Sequence, residues 1–200
     1  MPKQIILLTG ETELPFLSKA LQAANGALDV LHANNTTALA TALDDCDPAS
    51  LRLLSFSSNV IVPAAMLSAL PGPAYNFHPG PPEYPGSHPN SFAIYDGATR
   101  FGATVHEMTA KVDAGPIVKV SEFDIPEGAD SLELATLAYQ HIAALFFDLA
   151  PLLATSDDAL PRIDRRWAAR KWTRADYEKM RNYDENVDFA ERTLRKRAFG

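Results

Sequence analysis

Three residues in this chain have types and spacing suited to binding an oxyanion and managing a proton: Asn76, His78 and Asp113. Asn76 and His78 lie two apart, so on an extended backbone both side chains leave the same face. Pro79 reinforces the extended reading, because the residue before a proline is pushed out of helical conformation. A carboxamide and an imidazole are thereby aimed at one point. Asp113 stands in Asp113-Ala114-Gly115-Pro116, a connection between two strand-like runs, where the glycine supplies backbone freedom. A carboxylate beside a histidine raises the imidazole pKa, which would keep His78 charged near neutral pH. Such a trio binds an oxyanion through Asn76 and His78 and manages a proton through Asp113. A structural histidine and a turn aspartate are the competing reading of the same residues.

The flanking pattern must position them. Gln4–Leu8 is an apolar run ending at Thr9-Gly10, as a buried strand entering a turn would. Thr12 reads as a cap for a helix over 13–24, 27–31 as a second strand, 36–43 as a second helix and 51–56 as a third strand. That alternation predicts an α/β, Rossmann-like, mostly parallel sheet with helices on both faces, and ligands on such sheets bind beyond the carboxyl ends of the strands. Gly10 has no second or third glycine after it, so it reads as a turn and not as a dinucleotide loop. Residues 101–108 alternate as a half-buried strand, with 117–123 as its neighbour, and Ser131 opens a long apolar helix. Between Pro71 and Pro89 fall seven of the fifteen prolines, together with Asn76, His78, Tyr84 and His88, which reads as a rigid loop over a site rather than a linker.

Composition narrows the class. In 200 residues, 46% hydrophobic and 22% charged, there is material for one ordinary core. No apolar run approaches the length of a membrane span, and 1–10 lacks the pattern of a signal peptide, so a cytoplasmic protein without membrane contact is expected. Cys46 is the single cysteine, which excludes disulfides within the chain and thiolate clusters. The net charge of −7 is unevenly spread: 6 Lys+Arg against 18 Asp+Glu over 1–161 gives −12, and 12 against 7 over 162–200 gives +5. The acidic body argues against nucleic acid as a partner. The expected division is therefore 1–161 as catalytic domain and 162–200 as a short, basic, C-terminal helical tail. Trp167 and Trp172 with Arg165, Arg166, Arg170 and Lys171 either bind a nucleotide or dock on the acidic body or on a second subunit, which leaves a homodimer open.

The segments Ala74-Tyr-Asn-Phe-His-Pro-Gly80, Tyr84-Pro-Gly86, Phe101-Gly-Ala-Thr-Val-His-Glu-Met108 and Val112-Asp-Ala-Gly-Pro-Ile117 together resemble the folate-dependent formyltransferases, the family of glycinamide ribonucleotide, methionyl-tRNA and sugar-amine formyltransferases. Its signature is Asn-x-His, a Gly-Ala-Thr-x-His strand and Asp-x-Gly-x-Ile, and here His78 and Asp113 stand 35 apart as that signature has them. The resemblance implies a formyltransferase fold, 10-formyltetrahydrofolate as formyl donor, a small-molecule amine as acceptor, and Asn76, His78 and Asp113 as catalytic residues. It implies no metal. It also implies that the pterin lies against backbone at Val60, Ile61 and Val62, with Thr109, Ala110, Lys111 and Val112 walling the other side. Where many members have Ser-Leu-Leu-Pro after the histidine, this chain has Pro79-Gly-Pro-Pro-Glu83, similar to the formyltransferase-like portion of hydrogenase-maturation proteins. Transfer to an aminosugar or nucleotide-linked amine, hydrolysis of the donor, maturation-type handling and non-catalytic folate binding are the readings in play. The tail, with Arg197-Ala198-Phe199, resembles the segment that follows the catalytic part of sugar-amine enzymes and is too short for the barrel domain of tRNA enzymes.

Overall fold

The structure is a computed structural model describing residues 1–183 and 186–200. Four strands, β1 (Gln4–Leu8), β2 (Asp29–Ala33), β3 (Leu51–Phe56) and β4 (Tyr75–His78), run parallel, and β5 (Arg100–Glu107) and β6 (Ile117–Asp124) add by antiparallel pairing, in the order β2-β1-β3-β4-β5-β6. The apolar runs of β1 and β3 are buried on both faces, as parallel strands under two helical layers must be. On one face α1 (Leu14–Ala24) and α5 (Ser131–Thr155) pack Leu17, Leu21, Ile142 and Phe146 against Ile5, Leu7, Phe56 and Phe77. On the other, α2 (Thr36–Asp44) places Leu39 and Ala42 against Ile6, Leu8 and Leu53, with Met66 and Leu67 of α3 (Ala64–Ser68) beside them. A third cluster joins α4 (Pro89–Tyr95) to the tail through Phe92, Trp172 and Phe199. The tail carries α6 (Arg174–Arg181) and α7 (Phe189–Phe199).

The expected architecture is present, with local differences. Glu13, not Thr12, stands at the N-cap of α1, and no side chain caps that end; Pro15 in the first turn removes one of the N–H groups a cap would serve. The second strand is displaced two residues toward the carboxyl end, to Asp29–Ala33, because Asn25 to Leu28 turn back on themselves through the Leu28 N–H to Asn25 carbonyl bond. Contrary to the sequence expectation, α5 is long and apolar enough, at mean hydropathy 1.4, to cross a membrane. Its buried stripe of Leu134, Ala138, Ile142, Leu145, Ala150 and Leu153 covers the sheet, so its apolarity belongs to the core.

Arg52 on β3 is 6% exposed, yet makes no ion pair among the described residues. Its guanidinium instead donates to the carbonyls of Leu153 and Ser156 at 2.9 and 2.8 Å and of Asp158 at 3.0 Å. It thereby satisfies carbonyls at the end of α5 that have no intrahelical donor, and ties the helix to the sheet. Arg52→Leu leaves those carbonyls without that donor, so we expect a loss of about 2–4 kcal/mol and a fall in Tm of roughly 5–15 °C, measured by calorimetry.

Candidate active site

Register explains how the polar residues meet. In the antiparallel β4–β5 pair Asn76 stands opposite His106 and His78 opposite Thr104, and directly opposed residues share a face. Tyr75 and Phe77 therefore point into the core, while Asn76, His78, Thr104 and His106 point to the other side. Asn76 Nδ2 lies 3.1 Å from His106 Nε2, and Thr104 Oγ1 donates to the Gly80 carbonyl at 2.7 Å, holding down the chain that leaves β4.

Asp113 comes to this face from the β5–β6 connection. Its φ of 42° lies in the left-handed region that a non-glycine residue rarely occupies, so local strain is held by the surroundings. Two residues on, a Cβ at Gly115 would sit 1.9 Å from the Glu107 carbonyl oxygen, so the turn closes only with glycine there. The carboxylate is 4% exposed. Its Oδ1 is 3.3 Å from His106 Nε2, its Oδ2 is 3.7 Å from His78 Nδ1, and Gly86 N–H donates to Oδ2 at 2.8 Å. Gly86 adopts φ +102°, and a Cβ there would meet the Trp172 carbonyl at 2.1 Å. The Tyr84-Pro-Gly86 segment thus supplies a backbone donor as well as a turn.

Burial by itself would raise the Asp113 pKa, but the facing His78, the His106 ring and the Gly86 N–H outweigh it and hold the carboxyl well below the usual carboxylate range. For His78 burial is again the largest effect, and here it wins: the imidazole is pushed below its ordinary value although Asp113 pulls it up. The expectation that the aspartate keeps His78 charged is therefore reversed in the folded protein, because desolvation of a ring this enclosed exceeds the attraction of a carboxylate 3.7 Å away. His106 Nδ1 lies 2.9 Å from the Glu107 carbonyl, and Nε2 sits between Asn76 and Asp113. Among the described residues, His78 Nε2 is the buried side-chain polar atom with no hydrogen-bond partner; a Cβ at Gly80 would lie 2.6 Å from it.

The sequence-predicted trio is brought together. Of the segments expected to hold a pterin, Val62 is buried in the apolar cluster that Val60 and Met108 also contact, which anchors the starts of both loops, while Ile61 is 70% and Val112 44% exposed. Thr109, Ala110 and Lys111 are exposed, and Thr109 Oγ1 donates to the Lys111 carbonyl at 2.9 Å. His88 is directed elsewhere, stacked on Tyr177 at 3.7 Å.

Sequence reasoning missed His106 as a partner of Asn76, and Trp167 as the ring set edge-on to both imidazoles, at 5.9 Å from His78 and 5.0 Å from His106. A strand register and a tertiary crossing create these neighbours, and neither has a local sequence signal. Arg162 and Arg165 of the basic tail find their partners on the body. Arg165 bridges Glu83 and Glu122 at 2.9 Å each, and Arg162 is bidentate on Glu107. Trp172 lies between Arg170, 3.4 Å away, and Phe92, stacked at 3.8 Å, which leaves no face for a base to stack on.

A Rossmann-like α/β chain with a buried Asn–His–His–Asp cluster on one sheet face is the class that fold and site define. A family model described as formyl transferase matches residues 30–143, more than half of the sequence, and the chain belongs to that family. Methionyl-tRNA formyltransferase of Borrelia duttonii is 32% identical over 98 residues, covering 48% of this chain and 30% of the relative. The chain thus spans less than a third of that curated relative's length. Among solved structures, an otherwise uncharacterised Mycobacterium tuberculosis protein proposed to be a sugar N-formyltransferase superposes with TM-score 0.75 at 24% identity, over 99% of this chain and 87% of that one. An N-formyltransferase of Helicobacter canadensis, solved with folinic acid and dTDP-3-aminofucose, gives TM-score 0.73 at 14% identity over 100% and 81%.

The two shifted groups set a sign for acid stability. Above about pH 6.5 His78 is neutral in folded and unfolded chains and contributes no slope; below it the unfolded chain binds the extra proton first. Asp113, depressed in the fold, stabilises above the ordinary aspartate value and loses that contribution as pH falls through its lower folded value. Both effects make stability fall with acid, first below about pH 6.5 and again below about pH 4. An imidazole NMR titration should place the His78 midpoint below 6.5; a midpoint above it would mean that Asp113, not burial, governs the ring.

Proposed function

We propose that this chain transfers a formyl group from 10-formyltetrahydrofolate to the primary amine of a small substrate, an aminosugar or nucleotide-linked amine. The observation that carries the reading is the buried Asp113 carboxylate facing His78 and His106, with the Asn76 amide on the same face. Family membership supports the formyl chemistry, and the folinic acid and aminosugar nucleotide named with the Helicobacter canadensis structure support the two substrates. In this reading residues 1–161 form the catalytic body and 162–200 a basic extension that completes it, in a cytoplasmic enzyme.

The residues fit such a donor. Ile61 and Val112 offer exposed apolar side chains, Val60 to Val62 offer backbone groups against the pterin, with Thr109 to Val112 opposite, and His78 keeps one unused polar position. The donor supplies the activated formyl carbon. The Asn76 amide donates to the carbonyl oxygen as charge builds there, and one such donor is worth about 3 kcal/mol. A carboxylate held as low as Asp113 is a poor proton acceptor by itself, whereas a neutral imidazole is a good one. The Asp113–His78 pair therefore takes up the amine proton, Asp113 stabilises the imidazolium that forms, and the pair returns the proton to N10 as the carbon–N10 bond breaks. Released tetrahydrofolate and a formamide are the products.

Hydrolysis uses the same residues with water as nucleophile. The decisive experiment incubates the protein with 10-formyltetrahydrofolate and a panel of amino-sugar nucleotides. A gain of one formyl mass on an amine is expected; formate release independent of any amine would make the protein a hydrolase, and no binding of the donor would remove the proposal. Asp113→Asn should lower turnover at least about 100-fold while donor affinity in a fluorescence titration stays close to that of the parent, and an unchanged rate would remove Asp113 from the chemistry.

A further inference from the structure

From Pro161 to Lys171 the chain is exposed at every residue except one, Trp167, which turns inward. This strap is pinned across the site at both ends: Ile163 N–H donates to the Ile117 carbonyl at 2.9 Å, Ala168 N–H to Pro82 at 2.8 Å and Trp172 N–H to Pro85 at 3.0 Å. Between these anchors the indole meets His78 and His106 edge-on, at interplanar angles of 73° and 86°, and its Nε1–H donates to the Gly115 carbonyl at 2.8 Å. One side chain from the tail thus touches both imidazoles and the turn that holds Asp113. It also lines a cleft of about 530 Å³ whose other walls include Asp113, Ala114 and Gly115. That cleft borders the turn that carries Asp113.

We propose that Trp167 is a positioning residue that closes the imidazole side of the site to water and so directs the formyl group to an amine rather than to hydrolysis. The inference rests on the formyl-transfer reading above. Either nucleophile breaks the same bond, from the formyl carbon to N10, and N10 leaves with a proton. An amine forms a carbon–nitrogen bond and yields the formamide, whereas water forms a carbon–oxygen bond and yields formate. Discrimination between them is a matter of which nucleophile reaches the carbon. An apolar ring over His78 and His106 occupies space that water would otherwise take and removes a hydration site from the base. Its hydrogen bond to Gly115 fixes the strained turn, so the carboxylate stays where the imidazoles need it.

The groups facing His78 are Asp113, His106, Lys171 and the Tyr84 backbone, with Asp113 and Tyr84 favouring the charged ring and His106 and Lys171 opposing it. Opening the site to water relaxes the desolvation that dominates this balance and lets Asp113 draw the midpoint up.

Two variants and two readouts test the assignment. In Trp167→Ala the formate share of released formyl groups should rise at least about tenfold, and the His78 midpoint, read by NMR with no substrate present, should move up by at least about half a pH unit. Trp167→Phe, which keeps the ring and loses the N–H, should hold both values near the parent while kcat falls. If Trp167→Ala lowers kcat but leaves product ratio and titration unchanged, the ring only supports the fold and the inference fails. A Phe variant indistinguishable from Ala would also overturn it, by assigning the whole effect to the hydrogen bond. If the parent protein released no tetrahydrofolate with amine or water, the functional reading would fall instead, and the titration would still decide whether Trp167 shields His78.

Discussion

Asp113 is a carboxylate with almost no exposure to solvent, and much of the surrounding structure serves to keep it charged. A lone buried carboxylate would take up a proton rather than remain ionised. Here three separate parts of the chain enclose it: the His78 ring at the end of β4, the His106 ring on β5, and the proline-rich loop, whose Gly86 N–H donates to it. Each makes its own demand on the fold. The β4–β5 pair must hold one register, the loop after β4 must return with a left-handed glycine, and the β5–β6 turn must accept a strained aspartate and a close approach at Gly115.

The same constraint accounts for the tail. A cluster of this polarity on a sheet face needs a cover, and the strap from Pro161 to Trp172 crosses it, with Trp167 against both imidazoles. Basic side chains suit that crossing because the body beneath is acidic. Arg162 on Glu107 and Arg165 on Glu83 and Glu122 draw the strap down, and Trp172 wedges between Phe92 and Arg170. Exposed pairs of this kind contribute little each to stability. Their value is geometric, since they fix where Trp167 lies over the imidazoles.

Burial gives the site its chemical character. Desolvation lowers His78 toward the neutral imidazole while the facing rings and the Gly86 N–H lower Asp113 toward the anion, so two neighbouring groups are pushed to opposite protonation states. That division follows the general pattern by which environments push the pKa values of neighbouring titratable groups apart. It also reverses the pairwise expectation for an Asp beside a His, because the pairwise attraction acts across 3.7 Å and the desolvation acts from every side.

The order of strands and helices was legible because each element carries its own period: the apolar runs of β1 and β3, and the helical spacing of α5. Asn76 and His78 were legible as a pair because alternation and Pro79 settle their common face locally. Asp113 was legible as a turn residue and as a candidate partner of the pair from its type, and the motif it shares with known formyltransferases added the spacing that links them. What the chain could not reveal by itself was every relation between distant segments: the opposition of Asn76 and His106, the Gly86 N–H on Asp113, Trp167 over both rings, and the reversed balance at His78. Local sequence sets which way a backbone turns and which side a residue faces, because those depend on sterics within a few residues. Register, crossing segments and desolvation depend on atoms tens of residues away, and only the packed structure fixes them.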